Sequence, residues 1–185
     1  MVKQILKELE KRMITSIDHF KKELSKVRTG RASISLLEEI KVDYYGTLTP
    51  LNQISTLSVP DPNLITIQPW DPSLLSTIEK AIRVADLGLN PINDGKIIKV
   101  PIPPLDEETR RKIVKHIGKM LEEEKTALRI MRRESKEAIE KAEKNKEISE
   151  DDKFWGLEKL QELTDMYIKK AEDLAKTKEK EIMEF

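Results

Sequence analysis

The sequence predicts an α+β protein, with three long helices in an elongated bundle and a small β/α/β domain inserted between the first and second of them. Apolar residues recur at steps of three and four in both terminal parts of the chain. All nine prolines fall in one segment, between Ile34 and Pro104, where the apolar pattern changes to alternation. Charged residues make up 37% of the 185 and aromatics 4%, a balance that suits long solvated helices better than a β-sandwich.

The first helix is expected from Val2 to Val27, where Val2, Leu6, Leu9, Met13, Ile17, Phe20, Leu24 and Val27 form one stripe. Thr29-Gly30 is its expected stop, because glycine takes the left-handed conformation that closes a helix. Strands follow around Ile40, Val42 and Tyr44, around Ile65 and Ile67, and around Ile98, Val100 and Ile102, with Asn93-Asp94-Gly95 supplying hairpin chemistry. One helix interrupts them. Asp71 can cap it and Pro72 fits its first position; Leu74, Leu75, Ile78, Ala81, Ile82 and Ala85 make its face, and Gly88 is its expected end.

After Pro103-Pro104 the helical period returns, with Asp106 as a cap and Ile113, Ile117, Leu121, Leu128, Met131, Ser135, Ala138 and Ala142 as the stripe. Asn145 is the expected end of that helix. Ser149 then caps a last helix with an acidic first turn, whose stripe runs through Leu157, Leu160, Thr164, Tyr167, Ala171, Leu174 and Ile182. Each stripe is too narrow to stand alone, so the three helices are expected to bury one another. The bundle would comprise 1–30 and 105–185, and the inserted domain 31–104. Two short connections join them, so a two-strand hinge is expected at Gly30, Ala32, Ser33, Pro103 and Pro104.

Several function classes drop out at this level. There is no cysteine, which removes disulfides, thiol catalysis and thiolate metal sites. No G-x-x-x-x-G-K-[ST] or G-x-G-x-x-G motif is present, so no nucleotide cofactor is expected. His19 and His116 sit on separate helices, and acidic pairs such as Asp151-Asp152 fit a helix first turn better than acid/base chemistry. Neither enzymatic activity nor a cofactor nor a metal is expected. The N-terminal residues carry charges too closely spaced for a signal peptide, and no apolar run approaches the roughly 20 residues that span a bilayer. A cytoplasmic monomer without membrane contact is the expectation.

One stretch stands out. LRIMRRESK at 128–136 places Arg129, Arg132 and Arg133 within five positions, although 34 Lys+Arg balance 34 Asp+Glu over the chain. With Met131 taken as the centre of the buried stripe, Lys125, Arg129, Arg132, Arg133 and Lys136 share an outward arc, and Arg111 falls on it too. Two readings stand. The arc is a solvated face paired with Glu122, Glu134 and Glu137, or it contacts phosphates, to which the planar guanidinium fork binds bidentately. Arg28 and Arg31 form a second basic site near the first helix's end, explained either by the helix dipole or by the same partner. Arginines on a stiff rod, without an aromatic platform for single strands, suggest structured RNA recognised through backbone and shape.

The residues also carry a family resemblance. VRTGRAS at 27–33, IKVDYYGTLTPLNQIS at 40–55, IQPWD at 67–71, KAI at 80–82, LGLNPINDG at 87–95, VKHIGKMLEEEKTALRIMRRESK at 114–136, ISEDD at 148–152 and LTD at 163–165 together resemble the bacterial ribosome recycling factors, in order and over nearly the whole chain. The resemblance implies an L-shaped, two-domain protein that binds the post-termination ribosome at the subunit interface. With elongation factor G and its GTP hydrolysis, such a protein splits the ribosome into subunits. It further implies that Arg129, Arg132 and Arg133 contact large-subunit rRNA, with Arg28 and Arg31 at the hinge end of the bundle. Asp106 and Ile130 depart from the family's usual residues; Ile130 is expected to pack rather than make a polar contact. The rival reading from another class is a helical adaptor that binds a protein partner without touching RNA.

Overall fold

The computed structural model describes residues 1–184 and divides into two compact units. One comprises Met1–Val27 together with the segment from Glu108 onward, and the other Arg28–Glu107. The division thus falls outside the expected boundaries at 30 and 105.

The first unit holds three helices: α1 (Val2–Lys26), α3 (Glu107–Lys144) and α4 (Glu150–Met183). Helix α3, at 38 residues, is about 57 Å long. The turn at 145–149 makes α3 and α4 antiparallel, and their cross-links fall at matching distances from it: Lys153 meets Glu143 at 3.6 Å, Arg132 donates to Gln161 at 2.9 Å, and Lys125 meets Glu172 at 2.6 Å. Helix α1 also runs antiparallel to α3, as Arg12 pairs with Glu134 at 2.8 Å and Ser16 donates to Glu124 at 2.7 Å. It runs parallel to α4, because Val2 packs on Gly156 while Glu10 and Asp18 lie near Tyr167.

Leu9, Met13, Ile117, Leu128, Ala171 and Ala175 fill the space between the three. A Cβ on Gly156 would stand 2.6 Å from Val2 Cγ1 and 3.3 Å from Ile139 Cδ1, so hydrogen at this position lets α1 and α3 approach α4. Near the middle, burial pushes the Tyr167 hydroxyl pKa up, with Glu10 and Asp18 adding to the shift.

The helix ends correct the sequence reading in detail. Helix α1 stops at Lys26 with Val27 extended, so Gly30, though left-handed at φ 78°, lies beyond the cap. Asn145 still donates to Lys141 O; the left-handed residue that ends α3 is Lys146 (φ 59°), followed by Glu147 N donating to Ala142 O at 2.9 Å. That 6→1 bond is a Schellman closure. Ser149 caps α4 as expected: its Oγ accepts from Asp152 N, and the Asp152 carboxylate accepts from Ser149 N and Oγ.

The small unit contains β1 (Lys41–Tyr44), β2 (Thr47–Pro50), β3 (Ser55–Asp61), β4 (Leu64–Pro69), α2 (Leu75–Val84), β5 (Ile92–Asn93) and β6 (Ile98–Pro101). Strands β1 and β2 form a two-stranded ribbon, and the others an antiparallel sheet in the order β3-β4-β6-β5. Ile65, Ile67, Ile98 and Val100 on one face of the sheet pack with Ile78 and Ile82 of α2 and with Val42 of the ribbon. Asp71 accepts from Ser73 N, but the turn begun by Pro72 is 3₁₀ before α2 starts at Leu75. Helix α2 ends at Val84, and Asp86 rather than Gly88 is the first left-handed residue after it. Ala85, expected on the buried face, is exposed.

Two strands escaped the sequence pattern. β2 buries no side chain and β3 only Ser55, so neither shows apolar alternation. β3 is also an edge strand, and Pro60 falls where its register with β4 shifts between Ser58 and Asp61, a setting in which proline is tolerated.

Gly156→Leu should lower the unfolding free energy by about 1–3 kcal/mol despite leucine's better helix propensity. Adding Val2→Ala should recover part of the loss, read as a positive coupling in urea unfolding of the two single variants and the double.

Hydrogen bonds from Ser149 hold the Asp152 carboxyl pKa below its ordinary value. The stability from such a depressed pKa is complete above the unfolded value of about 3.9 and is lost as pH falls through the folded one. Asp152→Asn should therefore lower the urea midpoint at pH 7, and the difference from wild type should shrink towards zero near pH 2.

Candidate nucleic-acid interface

The outward side of α3 is fixed by what the helix buries. Ile117, Leu128, Ser135, Ile139 and Ala142 form its buried seam, whereas Met131 is only partly covered and Ala138 is exposed. At about 100° per residue, Leu128 lies about 60° round the helix from Met131, so the seam is rotated from the expected position. This rotation sorts the basic residues. Lys125 and Arg132 come close to the seam's edge on the α4 side, while Arg129 and Arg133 point away from the bundle.

Their partners follow. Lys125 is largely buried between Glu172 at 2.6 Å and Glu122 at 3.4 Å, and the hydrogen bond it donates to Glu172 raises its pKa. It is therefore a tie between α3 and α4 rather than part of a free basic face. Arg132 is half-buried: its Nη1 donates to Gln161 Oε1, and Gln161 Nε2 donates in turn to Asp165 Oδ1 at 2.8 Å. A neutral amide positions this guanidinium, which has no direct carboxylate partner among the described residues. Lys136 pairs loosely with Glu140 at 3.6 Å.

Two of the three carboxylates expected to neutralise the arginines are occupied elsewhere, while Glu137, exposed four positions after Arg133, forms no ion pair among the described residues. Glu134 takes Arg12 of α1 and Glu122 takes Lys125. Among the described residues, Arg129 and Arg133 are exposed and form no ion pair. Together with Thr126, Ile130, Arg132 and Lys136 they line one shallow depression on α3. Ile130 is 43% exposed within it, contrary to the expectation that it would pack. Arg111 lies 18 positions away from Arg129, about 27 Å along the axis, and does not join the group.

Arg28 and Arg31 belong to the small unit. Both lie past the last turn of α1, whose terminal base is Lys26. Arg28 is exposed, with its guanidinium beside Gly88, about 3.5 Å from where a Cβ would stand. Arg31 is half-buried in a small recess with Gly30, Leu36, Leu89, Pro103 and Leu105. Gly30 requires its glycine twice over: its φ is 78°, and a Cβ would stand 3.2 Å from Leu105 Cγ.

Gln161 is the residue of this site that sequence reasoning missed. The signal was present in the count from the turn. A hairpin reversing near residue 147 sets position 132 opposite 161.

A family model described as ribosome recycling factor matches residues 20–183. The chain belongs to the ribosome recycling factor family. It is 48% identical to the ribosome-recycling factor of Desulfosudis oleivorans over 184 residues, covering the whole of both chains. It is 52% identical to that of Nitratidesulfovibrio vulgaris over 183 residues, covering 99% of this chain and 98% of the relative. A solution structure of the ribosome recycling factor superposes with a TM-score of 0.82 at 48% identity, over 100% of this chain and 98% of that one. A second match has a TM-score of 0.67 at 42% identity over 98% of each chain. It comes from models for the T. thermophilus ribosome recycling factor and the E. coli elongation factor G bound to the E. coli post-termination complex. Membership in this family, whose members are translation factors, fits the absence of an assembled catalytic group in the sequence.

The different settings of the three arginines lead to different costs in the bundle itself. Arg132→Ala should lower its stability by about 0.5–1.5 kcal/mol through the lost tie to Gln161. Arg129→Ala and Arg133→Ala should each stay within about 0.5 kcal/mol of wild type in the same denaturant titration.

Proposed function

We propose that this chain recycles ribosomes in the cytoplasm. It binds the post-termination ribosome through large-subunit rRNA at the subunit interface and, with elongation factor G and GTP, splits it into subunits for a new round of translation. Family membership supports the reading, as does the match to a relative bound with elongation factor G on the post-termination complex. Among the described residues, no helix is long and apolar enough to cross a membrane.

The observation that carries the RNA contact is the pair of exposed guanidinium groups at Arg129 and Arg133, which form no ion pair among the described residues. Arg132, oriented by Gln161, adds a third donor fork beside them. Phosphate oxygens are the natural acceptors for such forks, and contacts of this kind position a protein on folded RNA without reading its sequence. Arg28 and Arg31 serve the same partner from the small unit. The bundle acts as a single monomeric body, and the nucleotide chemistry belongs to elongation factor G.

The small unit moves on the two connections that include Gly30, Ala32, Ser33, Pro103 and Pro104. Ala32 N donates to Pro62 O at 2.6 Å and Ile102 N to Asn63 O at 2.8 Å, so both connections are pinned to the same β3–β4 turn.

Co-sedimentation with empty ribosomes over a range of salt concentrations tests the RNA contact. The double variant Arg129→Ala/Arg133→Ala should bind at least tenfold more weakly at low salt, and its slope of log K against log salt should be shallower by about 1.5–2, since each lost phosphate contact removes somewhat less than one unit. Wild-type affinity and slope in the double variant would exclude these arginines from the interface. Absence of any wild-type sedimentation would favour an adaptor without RNA contact.

A further inference from the structure

Of the stretches that carry the family resemblance, LTD at 163–165 lies on α4 one turn beyond the residue that holds Arg132. Leu163 packs against the bundle core, and the buried Thr164 donates to Leu160 O at 2.7 Å. Asp165 does neither. It is exposed and forms no ion pair among the described residues; its carboxylate accepts from Gln161 Nε2 at 2.8 Å, while Gln161 Oε1 accepts from Arg132 Nη1 at 2.9 Å.

The three groups fit together in one order only. An amide has a donor end and an acceptor end, whereas a carboxylate only accepts. Asp165 therefore takes the NH2 end of Gln161 and turns the carbonyl oxygen towards Arg132. Reversed, the amide would set donor against donor at the guanidinium. Asp165 thus fixes an orientation that Gln161 alone would leave open.

The amide also keeps two charges apart. Side chains lean towards the N-terminus of their own helix, and α3 is antiparallel to α4, so Arg132 leans in the direction of Asp165. Without the amide, the next acceptor in that direction is a carboxylate, and a forked arginine–carboxylate pair would occupy the N–H groups that a phosphate needs. With Gln161 in place, a neutral group engages one nitrogen. The remaining donors are left for an anion at the depression that Arg132 lines with Arg129 and Arg133.

We propose that Gln161 and Asp165 are positioning residues for RNA binding. Asp165 locks the Gln161 amide, and the amide spaces Arg132 from the Asp165 carboxylate, so the guanidinium meets a phosphate in a fixed direction with its charge intact. Neither residue touches the RNA. The role rests on the RNA contact proposed above.

Both side chains are exposed, so their variants retain the core. Gln161→Met keeps the length of the side chain but removes the amide, which should let Arg132 collapse onto Asp165. Co-sedimentation with empty ribosomes at low salt should weaken about three- to fivefold, and the slope of log K against log salt should become shallower by about 0.7–0.9, the share of one phosphate contact. A packing role alone would leave that slope unchanged. Adding Asp165→Ala to Gln161→Met should restore the slope, whereas adding it to Arg132→Ala/Gln161→Met should not. In an Arg132→Ala background, Gln161→Met should change binding by less than about 1.5-fold. Asp165→Ala alone should weaken binding about twofold although it removes a negative charge, because the amide is no longer locked.

Wild-type affinity and slope for Gln161→Met would mean that Arg132 needs no amide. An equal loss in the Arg132→Ala background would mean that Gln161 meets the RNA itself. A slope that Asp165→Ala does not restore would mean that no charges are being kept apart, and tighter binding by Asp165→Ala alone would mean that it locks nothing. Each of these results overturns the proposal. Equal affinity and slope for wild type and Arg132→Ala would instead take Arg132 out of the interface, refuting the reading beneath the positioning role and the role with it.

Discussion

Each of the three long helices carries an apolar band too narrow to be stable in water alone, and within the unit only the bands of the other two can cover it. This mutual burial fixes the rotation of every helix about its axis. On α3 the covered side is centred near Leu128 and Ile139, and everything said about its exposed arginines follows from that angle. A rotation of about one-sixth of a turn, to the position the sequence stripe suggested, would have put Lys125 and Arg132 outward and changed which cations are free.

Electrical neutrality over the whole chain conceals an uneven local distribution. In the bundle lysines such as Lys112, Lys119, Lys136 and Lys159 sit against carboxylates on the same helix, through pairs that are individually weak at an exposed surface. Arginine is treated differently: Arg12 links α1 to α3, Arg132 is fixed by an amide, and Arg129 and Arg133 are left to solvent. An amide partner orients a guanidinium without cancelling its charge, so Arg132 remains fully attractive to an anion.

The helices were legible in the sequence because their apolar residues repeat over many turns, and the α4 cap because Ser149 and Asp152 have the required spacing. Helix ends were less so. Gly30 and Asn145 satisfied the usual preferences, but the closures fall at Val27 and Lys146, since backbone hydrogen bonds to Leu24, Ala142 and Glu143 decide them. The strands β2 and β3 were hidden because β2 buries none of its side chains and β3 only one, so pairing rather than burial defines them. At the candidate site the cluster at 129–133 was plain from composition. Its sorting into free and tied members depended on which helix flanks each side of α3, a tertiary fact that periodicity along one helix does not contain.

The interrupted course of the bundle through the chain affects its synthesis. Translation delivers α1 first and the whole of the small unit next, while the partners of α1 come last, with Ile182 of its core cluster almost at the C-terminus. The inserted unit has its own closed core and can fold once residue 107 has emerged. Throughout that time Leu9, Met13, Ile17 and Phe20 remain wet. A nascent chain of which about the first 107 residues have emerged would thus hold one finished unit and one helix with an uncovered apolar band, which is a state exposed to chaperones and to aggregation.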